Sequence, residues 1–143
     1  MKTRTLLLLS VGVGLLILLA GGAKLLQVAT DRTEVPVLEL GESAVIGDMT
    51  ATVVAVSQAA DGTLVEISLS GVAGEGVIED WRLLGDGSVI EASGAGDGDR
   101  FCSRSTRVPE DGSAVLCTLR FAAVETVQAV AYTRAGEQRQ WAP

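Results

Sequence analysis

The sequence predicts an all-β fold, an antiparallel β-sandwich, preceded by a single N-terminal transmembrane helix. Three features carry that expectation: an uncharged apolar run from Thr5 to Ala23, strict alternation of apolar and polar residues in two later segments, and Asp-Gly pairs that recur every twenty-five residues. The run suits a helix in lipid, the alternation suits strands with one face buried, and Asp-Gly suits the tight turns that join such strands.

In the first segment, Lys2 and Arg4 precede nineteen uncharged residues dominated by Leu6-Leu7-Leu8-Leu9 and Leu15-Leu16-Ile17-Leu18-Leu19. As a helix the run spans about 28 Å, close to the ~30 Å hydrocarbon core of a bilayer. A buried helix of a soluble domain shows a polar face, whereas here only Ser10, Gly12 and Gly14 interrupt the apolar surface. The basic start places the N-terminus in the cytoplasm and the rest outside. A cleavable secretion signal shares part of this description, because Leu6 to Ala20 is followed by small residues at Gly21, Gly22 and Ala23. Leu25, Leu26 and Val28 carry helical character past Lys24, which favours a retained anchor. A lipid anchor needs a Cys directly after the apolar run, and the first is Cys102. The expected organisation is residues 1–30 as signal-anchor helix and short stem, 31–34 as linker and 35–143 as one extracytoplasmic sandwich, since Pro36 disfavours helix at Val35.

Strands are expected over Met49 to Val56, rich in Thr and Val, and over Leu64 to Ser70, where Val65, Ile67 and Leu69 share one face and Glu66, Ser68 and Ser70 the other. Ala114 to Phe121 repeats the pattern, with Val115, Cys117, Leu119 and Phe121 facing inward. Val124 to Ala131 suits a short helix by its Ala, Glu and Gln, but Thr126, Val127, Val130, Tyr132 and Thr133 weight the stretch from Thr126 to Thr133 toward strand. Gln138 to Trp141 follows a turn at Ala135-Gly136. The pairs Asp61-Gly62, Asp86-Gly87 and Asp111-Gly112 read as three independent hairpin turns, because the residues before them share nothing. Trp81 lies in an apolar segment from Val77 to Leu84 and reads as core, and Trp141 as a plug at one end of the sandwich.

Charge and composition exclude several functions. Lys2, Arg4 and Lys24 give the first thirty residues +3, and the remainder carries eight Arg against eighteen Asp and Glu, giving −10 and the overall −7. So acidic a domain repels phosphate backbones, so nucleic acid is not an expected partner. The chain has no His, which removes Ser-His-Asp and Cys-His catalysis and any His-ligated metal. It has no Asn, which removes N-linked glycosylation.

Cys102 and Cys117 are the only cysteines and flank the turn at Pro109 to Gly112, so a disulfide is expected between them. Two thiolates are too few for a metal, and a redox pair would read Cys-x-x-Cys. Asp97-Gly98-Asp99 opens like a calcium loop, but Phe101, Cys102 and Val108 occupy positions that an EF-hand gives to a ligand, a Gly and a Glu. Gly94 to Gly98 lacks the Lys-Ser/Thr of a phosphate loop and reads as a mobile surface loop. Arg100, Arg104 and Arg107 fall close together and together form a candidate grip for a carboxylate or phosphate on a partner, set among Asp97, Asp99, Glu110 and Asp111. Glu79 and Asp80 are poor paired carboxylates, because neighbours on a strand point to opposite faces.

Leu40-Gly41-Glu42 followed by Ile46-Gly47-Asp48-Met49-Thr50-Ala51-Thr52-Val53 resembles the opening of an immunoglobulin-like domain of unknown function, widespread in bacterial lipoproteins and membrane-anchored envelope proteins. That domain is similar in fold to small secreted mycobacterial antigens. The resemblance runs from about residue 38 to the end and departs from the pattern at the missing lipobox Cys and at Ser70-Gly71, where an Asn often closes the strand. It implies an immunoglobulin-like sandwich in the cell envelope and no catalytic residues. An antibody-type domain is not implied, since both cysteines follow Trp81. The expected function is a non-enzymatic, membrane-anchored extracytoplasmic binding or scaffolding module, without cofactor or metal. Its expected partners are the membrane, through one span, and an envelope protein met through the loop from Ser93 to Arg107. The alternatives are a secreted, signal-cleaved sandwich, an envelope enzyme using carboxylate, Ser or Arg chemistry, and a subunit of a larger membrane assembly.

Overall fold

A computed structural model describes residues 3–30, 34–94 and 98–143. The chain forms two units, Met1–Glu34 and Val35–Pro143. In the first, α1 (Thr3–Thr30) is one helix of 28 residues, long and apolar enough to cross a membrane. At 1.5 Å per residue it is about 42 Å long. Such length exceeds the uncharged run because Leu25, Leu26 and Val28 continue the helix beyond Lys24.

Nine strands make up the second unit among the described residues: β1 (Val37–Glu39), β2 (Ser43–Ile46), β3 (Met49–Ala59), β4 (Gly62–Ser70), β5 (Trp81–Gly85), β6 (Ser88–Glu91), β7 (Val115–Phe121), β8 (Val127–Arg134) and β9 (Glu137–Ala142). They form two sheets, ordered β1-β9-β8-β5-β6 and β2-β3-β4-β7. The sheets face each other across one core, as the alternation in β4 and β7 requires: Val65, Ile67, Leu69, Leu119 and Phe121 are buried while Glu66, Ser68 and Thr118 lie on the other face. Such burial, worth about 25 cal/mol per Å² of apolar surface, is the main force holding the sheets together.

The opposite sheet supplies three more buried aromatics, Trp81, Tyr132 and Trp141. Trp81 and Tyr132 are register partners on β5 and β8, with ring centroids 4.7 Å apart. Trp141 lies 5.9 Å from Trp81, fully buried, and its indole N–H donates to the Glu42 carbonyl at 2.8 Å. Trp141 therefore packs in the core and ties it to the β1–β2 connection.

Three expectations change. The sandwich is not wholly antiparallel, because β1 runs parallel to β9. The Asp-Gly pairs do not share one turn chemistry. Asp86-Gly87 is a two-residue hairpin turn with φ of 51° and 73°, the left-handed pair of a type I′ turn. At Asp61-Gly62 the turn residues are Ala60 and Asp61, and Gly62 already pairs with Ala59 in the sheet. Gly62 is needed there because a Cβ would stand 2.6 Å from the Phe121 carbonyl oxygen. Asp111-Gly112 joins no hairpin; Gly112 N–H closes a loop onto Pro109, and Asp111 accepts the Ser113 N–H. Finally, Glu79 and Asp80 lie in a turn before β5 rather than on a strand.

Candidate functional site

Cys102 and Cys117 form the expected disulfide, with Cα atoms 5.2 Å apart. The segment before Cys102 lies along β7 as a short parallel addition: Thr118 N–H donates to Arg100 O at 2.7 Å, and Cys102 N–H donates to Thr118 O at 2.9 Å. Ser93 borders the same strand, its N–H donating to Arg120 O at 2.8 Å. The disulfide thus fastens a connection to the margin of one sheet and does not join the two sheets. Trp81 packs on Tyr132 and Trp141, without the inter-sheet disulfide of an antibody domain.

This arrangement separates the three arginines that the sequence grouped. Arg100 lines a groove of about 340 Å³ on the β7 side with Glu66, Asp99, Leu116 and Thr118. Arg104 lines a different recess of about 290 Å³, formed by Ile78 and Glu79 before β5, Arg82 on β5, and Glu91 and Ala92 at the end of β6. Arg107 turns back on its own loop, donating to Arg104 O at 2.7 Å and Thr106 O at 3.1 Å. The three do not converge as one grip. Asp97, part of the sequence-level calcium motif, lies outside the described residues.

Within the second recess both terminal nitrogens of Arg82 have partners. Its Nη1 donates to the carbonyls of Glu79 and Trp81, and its Nη2 lies 3.1 Å from Glu91. Sequence reasoning missed this recess because its lining comes from four separated segments; the only local signal was a charged residue at each of Glu79, Arg82 and Glu91 beside apolar positions.

A second charged cluster sits where the β2–β3 turn, the β4–β5 connection and the end of β8 meet. Arg134 bonds Asp48 at 3.0 Å and Glu75 at 2.9 Å, with Asp80 at 3.7 Å. Hydrogen bonding to Arg134 holds the carboxyls of Asp48 and Glu75 below their ordinary values, and the two carboxylates raise Arg134 in return. Burial, reinforced by Asp80, pushes the Tyr132 phenol up to about 12. Among the described residues no group of three or more His, Cys, Asp or Glu is placed to hold a metal ion.

Fold and covalent pattern together define the class: a two-sheet β-sandwich that carries one disulfide and follows an N-terminal apolar helix. Its fold is similar to the crystal structure of MPT63, a secreted protein from Mycobacterium tuberculosis, with a TM-score of 0.57 and 14% identity over 78% of this chain and 99% of that one. No family model matches the sequence, and no curated protein does.

Proposed function

We propose that the protein is a non-enzymatic binding or scaffolding module, an immunoglobulin-like sandwich held outside the cytoplasm by a retained α1. The observation that carries this reading is the joint presence of an apolar helix with a basic start and a disulfide between the only two cysteines. Disulfides persist in oxidising compartments, and Lys2 and Arg4 orient the sandwich toward one. MPT63 being described as secreted supports the same side of the membrane. Retention is supported by helix that continues through Leu25, Leu26 and Val28 to Thr30 without a break at Gly21-Gly22-Ala23.

The charged groups suit a binding surface: among the described residues, hydrogen bonds from Arg134 lower the carboxyls of Asp48 and Glu75, and hydrogen bonds from Ser113 lower that of Asp111, which favours their charged forms.

Mass determination of the mature N-terminus in the membrane fraction tests the tether. Met1 or Lys2 is the expected first residue. A start near Ala23 or Lys24 overturns retention and leaves the secreted sandwich. For the binding role, crosslinking in intact cells followed by purification of the full chain is expected to capture a reproducible envelope protein; repeated failure to do so refutes that part.

A further inference from the structure

β6 pairs with β5 along one edge, and among the described residues no main-chain group bonds its other edge. The β7 margin of the opposite sheet is treated differently, since Ser93 and the segment before Cys102 border β7. An unpaired edge is a template for an added strand, and here Val89 is 66% exposed on it.

The recess that holds Arg104 adjoins the end of this strand through Glu91 and Ala92. Its charges are unequally committed. Arg82 and Glu91 neutralise each other at 3.1 Å. Glu79 shares the space around Gly76 with the Arg107 guanidinium, each lying 3.5 to 3.6 Å from where a Gly76 Cβ would be. Arg104 forms no ion pair and its guanidinium no hydrogen bond among the described residues. Among the described residues Arg104 is thus the recess cation without an ion-pair partner, while Glu79, which forms no ion pair either, stands beside Arg107 at Gly76.

Arg104 is also positioned rather than merely present. Its side chain crosses Gly94 so closely that a Cβ there would stand 2.9 Å from the Arg104 Cγ. Its carbonyl is held by Arg107, and the preceding Cys102 is bonded to Cys117. Backbone and stem are therefore constrained before any ligand arrives, which lowers the entropy cost of binding.

We propose that β6 and this recess form a peptide-binding site: an extended segment of a partner adds to the open edge of β6 and presents a carboxylate to Arg104. Main-chain hydrogen bonds supply affinity, and the Arg104–carboxylate pair sets selectivity. The carboxylate belongs to an Asp or Glu side chain or to a chain terminus. This proposal rests on the binding-module reading and names the chemistry of its partner.

The test uses the full chain in detergent micelles and three fluorescein-labelled hexapeptide pools, randomised at apolar positions. One contains Asp and ends in an amide, one lacks Asp and ends in a free acid, and one has Asn in place of Asp and ends in an amide. At least one acidic pool is expected to bind about tenfold more tightly than the neutral pool, as a charge-assisted hydrogen bond allows. Which one does so identifies the carboxylate source. Arg104→Gln is expected to erase the preference while leaving the far-ultraviolet circular dichroism unchanged, and bound peptide is expected to slow amide exchange in Ser88–Glu91. Equal binding of all pools, a preference that survives R104Q, or unchanged exchange in β6 overturns the site. Such a result leaves the binding-module reading intact if cellular crosslinking still captures a partner, so the two failures are distinguishable.

Discussion

Removing the Cys102–Cys117 bond is the perturbation whose cost the structure allows to be worked out. The two cysteines are separated by 15 residues. In the chain-entropy account, closing a loop of that length removes about 10 cal/mol/K from the unfolded ensemble, or about 3 kcal/mol at 25 °C. The sandwich unit, Val35–Pro143, has 109 residues, so its unfolding entropy near the midpoint is about 0.23 kcal/mol/K. The double variant C102A/C117A is therefore expected to melt about 13 °C below the parent. Alanine avoids placing a hydroxyl where Cys102 is 2% and Cys117 6% exposed. Thermal unfolding of both forms followed by circular dichroism measures the shift, and amide exchange locates it. Loss of the bond is expected to speed exchange at Cys102 and Thr118, whose N–H groups join the loop to β7. A midpoint shift below about 4 °C would refute the entropic reasoning. Unchanged exchange at those two amides would refute the view that the bond fastens the loop.

Gly62→Ala is expected to destabilise the sandwich more than Gly87→Ala, because the first forces a Cβ to 2.6 Å from the Phe121 carbonyl whereas the second meets nothing within 4 Å and costs about 1 kcal/mol for its left-handed φ of 73°. Denaturant titration compares them, and equal midpoints would count against the close-approach argument. Trp141→Phe leaves the Glu42 carbonyl without its indole donor, for an expected loss of about 1–3 kcal/mol read from the same titration. The Arg134 cluster predicts a pH signature. Since folding depresses the carboxyls of Asp48 and Glu75, their stabilisation is fully present above the ordinary carboxylate range and is lost as pH falls through their folded values. The melting-temperature gap between the parent and Glu75→Gln should thus be open at pH 7, narrow as pH falls through the ordinary carboxylate range, and close once pH drops below the lowered folded value of Glu75. A gap independent of pH would show that Glu75 acts by shape rather than charge.

How much was legible beforehand differs by element. β4 and β7 were readable to within two residues, because a face buried against a core forces period-two alternation into the local sequence. β8 and β9 were readable from β-branched content and the turn between them, where Ala135 and Gly136 take φ of 52° and 79°. β1 and β2 were not read as strands, and β5 and β6 were marked only by the hairpin turn expected at Asp86-Gly87: all four are three to five residues long, too short to show a period. β1 in particular exists because β9 offers it a parallel edge, a fact held by no residue in Val37–Glu39.

The candidate site divides along the same line. By itself the amino-acid order determined an apolar N-terminal helix, a half-buried β pattern and a cysteine pair to be joined, because hydrophobic run length, alternation and cysteine count are local quantities. Tertiary structure alone decided that Arg100, Arg104 and Arg107 part company. Nearness along a chain says nothing of direction once the backbone turns, and here the bond from Cys102 to β7 sends Arg100 to one sheet margin and leaves Arg104 facing Arg82, Glu91 and Ile78, residues at least thirteen positions away in the chain.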